Sequence, residues 1–264
     1  MTIETLSSLK LSFFAFGFII FYVLESIFPN RVWASKRYKR LIFHTLFAAF
    51  NTILMRIPVL FLLMPVLILN SEPQNTTVTT IAHLDYYQFI LNILILDLSL
   101  YWWHRLNHTN QFLWRFHFVH HADTHMDVGT SLRFHIAELI MSTFYKALII
   151  YLCGITVIEF ICYEIILVLS IQFHHSNLNL NSKFDNMLSR FIVTPKYHTN
   201  HHTRARESRD ANYASVLTIW DNLFMSYKDA NDTDRKTMGV ENRDIELKFL
   251  ENIYHPFDKN VDRK

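Results

Sequence analysis

Histidine carries the chemistry in this sequence. Fifteen histidines occur in 264 residues, and twelve fall between His104 and His202, where an even spread would place between five and six. Most lie in short motifs: His104-Arg-Leu-Asn-His108, His117-Phe-Val-His120-His121, His174-His175 and His198-Thr-Asn-His201-His202. Spacings of three and four residues share one face of a helix, so each motif can aim two or three imidazoles at a common point. Imidazole is the usual nitrogen ligand of first-row transition metals, and eight or more converging rings exceed what one ion uses, which implies two ions. Neutral ligands leave the positive charge of those ions largely uncompensated, which favours hydroxide or reduced oxygen species between them.

The motif types separate metal chemistries. A zinc protease of the HExxH kind needs a glutamate after its first histidine, and His104 is followed by Arg105. A metal transporter would place its ligands in mid-span, whereas these lie at span ends and in polar segments. Asp97 stands seven residues before His104 on the same helical face, where it can accept a hydrogen bond from a ligand imidazole or pair within the bundle. His44, His83 and His255 stand singly and are read as ordinary interface or hydrogen-bonding residues.

Apolar segments must position these motifs. Residues 9–28 form a run long enough to cross a hydrocarbon core of roughly 30 Å, and residues 41–69 form a second with room for tilt or a kink at Pro58 and Pro65. Arg56, inside the second run, is read as snorkelling or facing the bundle. A third span over 86–103 ends in the pair Trp102-Trp103, suited to the interface. Residues 136–173, with Gly154 near the middle, allow two helices that enter and return as a hairpin, so 104–135 and 174–202 meet at one membrane face. The basic segment Arg31, Lys36, Arg37, Lys39, Arg40 marks that face as cytoplasmic, with the polar 70–85 loop on the other side. The expected fold is therefore all-α: an integral membrane bundle of three spans plus a membrane-embedded hairpin, and a cytosolic histidine-rich di-metal cap formed by 104–135 and 174–264, all in a single domain.

The composition agrees with that class. Hydrophobic residues make up 51% and charged residues 18%, against roughly 25% charged in ordinary soluble domains. A net charge of +2 gives no nucleic-acid footprint. Cys153 and Cys162 lie in an apolar run with no CxxC, as small core residues do. The stretch Pro29-Asn30-Arg31-Val32-Trp33 after the first apolar run does not suit cleavage of a signal peptide.

The segments LDLSLYWWHRLNH, RFHFVHHADTHMDVGTSLRFH, QFHHSN, VTPKYHTNHH and TIWDNLFMSY resemble the fatty acid hydroxylase and sterol desaturase superfamily of membrane enzymes, from about Leu96 through Tyr227. The resemblance implies a non-haem di-iron centre that activates O2, its co-substrate, to hydroxylate or desaturate a membrane lipid such as a sterol or fatty acyl chain. Its ligands would be His104, His108, His117, His120, His121, His175, His198, His201 and His202. His125, His135 and His174 would be additional ligands or, with Asp97, residues that support them. Three positions depart from the pattern: Ile136 replaces Pro, Ala214 replaces the Gly of NYG, and Met225 replaces the Gly after WDxxF. The chain has no haem, flavin or iron–sulfur motif, so electrons would come from an external b-type cytochrome or a ferredoxin with its reductase. The rival reading is a zinc-binding or metal-sensing membrane protein that uses the same cage without redox chemistry.

Overall fold

The computed structural model describes residues 3–33, 37–71, 82–231, 233–240 and 248–258. Lys36, residues 72–81 of the polar loop, the side chain of His83 and parts of the charged tail lie outside them. The described residues are helical apart from loops and isolated bridges. In chain order the helices are α1 (Ile3–Ile27), α2 (Arg37–Pro58), α3 (Met64–Ser71), α4 (Ala82–Thr109), α5 (Gln111–His121), α6 (Ile136–Cys153), α7 (Val157–His175), α8 (Ser182–Leu188), α9 (Pro195–His201), α10 (Arg206–Arg209), α11 (Ile219–Leu223) and α12 (Phe249–Tyr254).

Among the described residues, four helical stretches are long and apolar enough to cross a membrane: Thr5–Ile27, Arg37–Ser71, Ile136–Cys153 and Val157–His175. Their outward faces are apolar and uncovered, with Phe16, Ile19, Ile53, Phe61, Leu148 and Leu152 all exposed, as a lipid-facing surface requires. This is a membrane protein. Helix α4, expected as the third span, is long enough but less apolar than these four. Its polar residues Asn92 and Asp97 turn inward, where Asn92 Nδ2 donates to Glu159 Oε1 at 2.8 Å.

Local chemistry sets the breaks. Pro58 has no N–H to donate, and the ladder widens to one π-helical turn over Val59–Leu63 before α3 resumes. The hairpin turns at Gly154, which takes the left-handed conformation at φ +66° to end α6, and Thr156 then caps α7 reciprocally with Glu159. Gly17 lets α1 lie close on α7, where a Cβ would fall 2.3 Å from Gln172 Oε1. Leu67, Leu96, Ile150, Ile155, Phe160 and Leu167 form the apolar core between α3, α4, α6 and α7. Both ends of the α6–α7 hairpin return to the end of the bundle where α1 stops and α2 begins.

Candidate metal centre

Four elements carry the histidines to that end of the bundle. Helix α4 runs on past Trp103 to bring His104 and His108, and α5 starts at Asn110, whose side chain accepts from the N–H groups of Phe112 and Leu113. Helix α7 ends on His175, and α9, capped by the Thr194 side chain and opening on Pro195, presents His198, His201 and the adjoining His202.

The structure gathers nine of these rings into two buried groups. His104, His108, His117, His121 and His201 form one, and His120, His175, His198 and His202 form the other; within each group the ligand atoms all lie within 4.8 Å of one another. The groups abut, with His121 stacked on His202 at a centroid distance of 4.4 Å. The motifs divide in a way their spacing alone does not state. In each HxxHH motif the i and i+4 residues join one group and the i+3 residue joins the other, because at 3.6 residues per turn adjacent i+3 and i+4 side chains diverge by about 100°.

Hydrogen bonds fix which nitrogen of each ring faces inward. His104 Nδ1 lies 2.8 Å from the Tyr213 carbonyl, His201 Nδ1 2.6 Å from that of Ala211, His120 Nδ1 3.2 Å from that of Arg133, and His175 Nδ1 2.8 Å from that of Ile171. A carbonyl only accepts, so each Nδ1 is the protonated nitrogen and each Nε2 presents a lone pair. Yet the Nε2 atoms of His104 and His201 are 2.9 Å apart, and those of His120 and His175 are 3.0 Å apart. Two lone pairs at that distance repel unless a cation lies between them. Nitrogens about 2.1 Å from one ion and at right angles to each other stand roughly 3.0 Å apart, so the donor set fits a metal in each group.

The electrostatics suit ligands. Burial, and then the neighbouring imidazoles, hold His120, His121, His198, His201 and His202 well below the ordinary histidine range, and burial lowers His104 to about 3. These rings are neutral at physiological pH, the form that binds metal. Beside the groups lies a cavity of about 70 Å³ lined by Leu100, Trp103, Phe134, Ile171 and His174, among others.

The remaining candidates lie elsewhere. Asp97 touches no imidazole among the described residues; it accepts from Trp220 Nε1 at 2.7 Å, the Leu217 N–H at 3.2 Å and the Tyr163 hydroxyl at 3.3 Å. Seven residues put it on the face of His104 but about 10 Å away along the axis, beyond a carboxylate's reach. His135 caps α6: its Nδ1 accepts from the Ala137 N–H and its Nε2 donates to the Ile253 carbonyl, which uses both nitrogens. His125 is paired with the Thr124 hydroxyl outside both groups. His174 is buried against His198 and lines the cavity without joining either group. Of the single histidines, His44 is buried 3.6 Å from Asp123, and His255 stacks on Phe118.

Several residues that hold the site carry no local sequence signal. Glu138 accepts from His117 Nδ1 at 2.8 Å. Asp221 accepts from the N–H groups of Tyr213 and Ala214, from the Tyr197 hydroxyl and from Ser226, and so aims the Tyr213 carbonyl at His104. Glu25 accepts from the N–H groups of Val128 and Asn177 and pairs with Arg37, tying α1 to both histidine segments. Arg40 makes two 2.9 Å bonds to Asp123 and one of 2.5 Å to Asp127. In the sequence Glu25 is legible only as a break in an apolar run, and Arg40 only as a topology signal.

A helical membrane protein with two abutting all-histidine groups at one end of its bundle, each of which could hold a metal ion, defines the class. The fatty acid hydroxylase family profile matches residues 89–226, more than half of the chain, and the chain belongs to that family. It is similar to the ornithine lipid hydroxylase OlsE of Rhizobium tropici, 25% identical over 173 residues that cover 66% of this chain and 51% of that protein. It is also similar to the alkylglycerol monooxygenases of Danio rerio, 29% identical over 170 residues (63% of this chain, 36% of the relative), and of Homo sapiens, 29% over 146 residues (52% and 29%). The matched region thus spans about half or less of these relatives' length. No solved structure matches the chain.

Proposed function

We propose that the protein is an O2-dependent membrane hydroxylase that holds two iron ions in its two histidine groups and oxidises a lipid. The observation that carries the reading is the pair of inward lone pairs in each group, His104 with His201 and His120 with His175, each 3.0 Å apart or less. Imidazole suits iron as well as zinc, and the relatives bear the names of hydroxylases and monooxygenases, which favours redox chemistry and hydroxylation over desaturation. Iron bound there would supply O2 activation, in the overall stoichiometry RH + O2 + 2 e⁻ + 2 H⁺ → ROH + H2O.

The chain's own residues orient and enclose. The Tyr213, Ala211, Arg133 and Ile171 carbonyls and Glu138 hold the rings in one tautomer, and the burial of all nine excludes water from the reacting region. Phe134, stacked on His120 at 4.3 Å, gives the adjoining cavity an apolar wall for a hydrocarbon substrate. The two electrons come from a separate donor, a b-type cytochrome or a ferredoxin with its reductase. Arg31, Arg37 and Arg40 lie at the histidine end of the bundle, which supports a cytoplasmic orientation of that face.

The test is to compare the lipids of cells with and without the gene under oxygen, and to measure reductant-dependent O2 uptake by the purified protein. Loss of a hydroxylated lipid species together with uptake supports the reading; a zinc-filled protein with no uptake and an unchanged lipid profile contradicts it.

A further inference from the structure

A second set of charged side chains lies among the spanning helices, away from the histidines, with Glu164 largely covered and Lys10 and Lys146 part-exposed. Lys10 of α1 and Lys146 of α6 both reach Glu164 of α7, at 2.6 and 2.9 Å. Among the described residues each ammonium has this one partner, and a lysine has three N–H bonds to give. Two cations thus share one anion, leaving an excess positive charge within the membrane-spanning part of the protein, where such charge is costly without a partner.

The three residues line a cavity of about 570 Å³ whose other walls are mostly apolar, among them Phe14, Val59, Leu63 and Phe160, with the hydroxyls of Ser7, Thr52, Ser142 and Thr143 between them. It adjoins a second cavity of about 410 Å³, which shares Phe14, Met55, Val59 and Leu139 with it and is also lined by Arg56, a further cation. Phe134 lines that second cavity and also the small cavity beside the histidines. The three cavities thus lie in series from the charged cluster to the histidines, with Phe134, on which His120 stacks, between the last two.

We propose that Lys10 and Lys146 form an anion-binding subsite that holds the carboxylate of a single-chain amphiphile, with its hydrocarbon chain running through these cavities towards Phe134. The two ammonium groups offer their remaining donors to the two carboxylate oxygens, and the anion balances the excess charge. Along α7, Glu164 and His175 are eleven residues apart, about 16 Å, close to the roughly 15 Å that one leaflet's chain spans. The chain end remote from the carboxylate then reaches the histidine centre. The subsite deepens the proposed function by naming the polar end of its substrate, and the oxidised position rests on that reading; binding does not.

The experiment is equilibrium binding of radiolabelled palmitate and methyl palmitate to the purified full chain in nonionic detergent, with iron content and O2 uptake measured on the same preparation. The acid is expected to bind about tenfold more tightly than the ester, the ratio that about 1.4 kcal/mol supplies. The preference is expected to vanish in the double variant Lys10→Met, Lys146→Met and to survive in Lys146→Arg. Equal affinity of the wild-type protein for acid and ester overturns the proposal, and so does a preference that persists in the double variant. If that variant does not fold, the wild-type ratio alone decides. A preference for the acid without O2 uptake supports the subsite and removes the hydroxylase reading. Oxidation of palmitate next to its carboxylate overturns the orientation.

Discussion

His117 donates its Nδ1–H to Glu138 Oε1 across 2.8 Å, joining the middle of α5 to the first turn of α6. This bond holds one ring of the five-histidine group from an element that contributes no ring of its own. Glu138→Gln keeps the shape but loses the charge, and is expected to weaken metal retention by about 10- to 100-fold. Chelator competition on the purified variant checks this, with thermal unfolding as the control for folding; unchanged retention would show that the ring needs no carboxylate.

The Arg40–Asp123 pair is buried, and Asp123 also accepts from the Thr130 hydroxyl and the His125 N–H. Arg40 beside it holds the Asp123 carboxyl well below the usual carboxylate range against the opposing effect of burial. Asp123→Ala leaves the guanidinium with one of its two carboxylate partners and is expected to cost about 3–5 kcal/mol of stability. Denaturant unfolding in detergent measures it, and a cost below about 1 kcal/mol would mean that solvent or Asp127 takes over.

Met225 occupies φ +51°, the left-handed region, at the position where the family resemblance implies glycine, and its side chain is almost fully exposed. Met225→Gly removes that backbone strain without costing buried contacts. It is expected to stabilise the protein by about 1 kcal/mol, read as a rise in unfolding temperature. A fall would show that the loop does not need this conformation.

The metal-free protein should lose stability in acid. His120, His121, His198, His201 and His202 are held below their ordinary value of 6.5 in the folded state, so the unfolded chain binds protons more readily. Their contribution is complete above pH 6.5 and is lost as the pH falls from there towards the folded-state values, at up to about 1.4 kcal/mol per unit for each ring. Unfolding of chelator-treated protein from about pH 8 to about pH 5 tests the sign; a flat profile contradicts it.

The gathering of the histidines is legible in the sequence because helical spacing is local. His104 with His108 and His198 with His202 sit four apart and meet at one point, and Gly154 marks the turn that returns α7 to the same face. Local spacing could not assign His120 and His201 to the opposite group from their neighbours, since that depends on where α7 and α4 lie. At Asp97 it leaves two partners open, a ligand imidazole or a group within the bundle, and the packing supplies the second: Trp220, Tyr163 and the Leu217 N–H. Glu138 and Asp221 were silent because each reaches its partner through tertiary packing. Three cations of the basic segment, Arg31, Arg37 and Arg40, which the sequence offers only as a topology signal, tie α1 and α2 to each other and to the histidine loops.

The central claim is that nine histidines hold two metals in two separable groups. Metal analysis of the purified protein, together with His201→Ala from one group and His198→Ala from the other, tests it most directly. About two irons per chain are expected in the wild-type protein, and about one in each single variant, with hydroxylation abolished in both. One metal or none per wild-type chain with full activity, or a variant that keeps both irons, would contradict it.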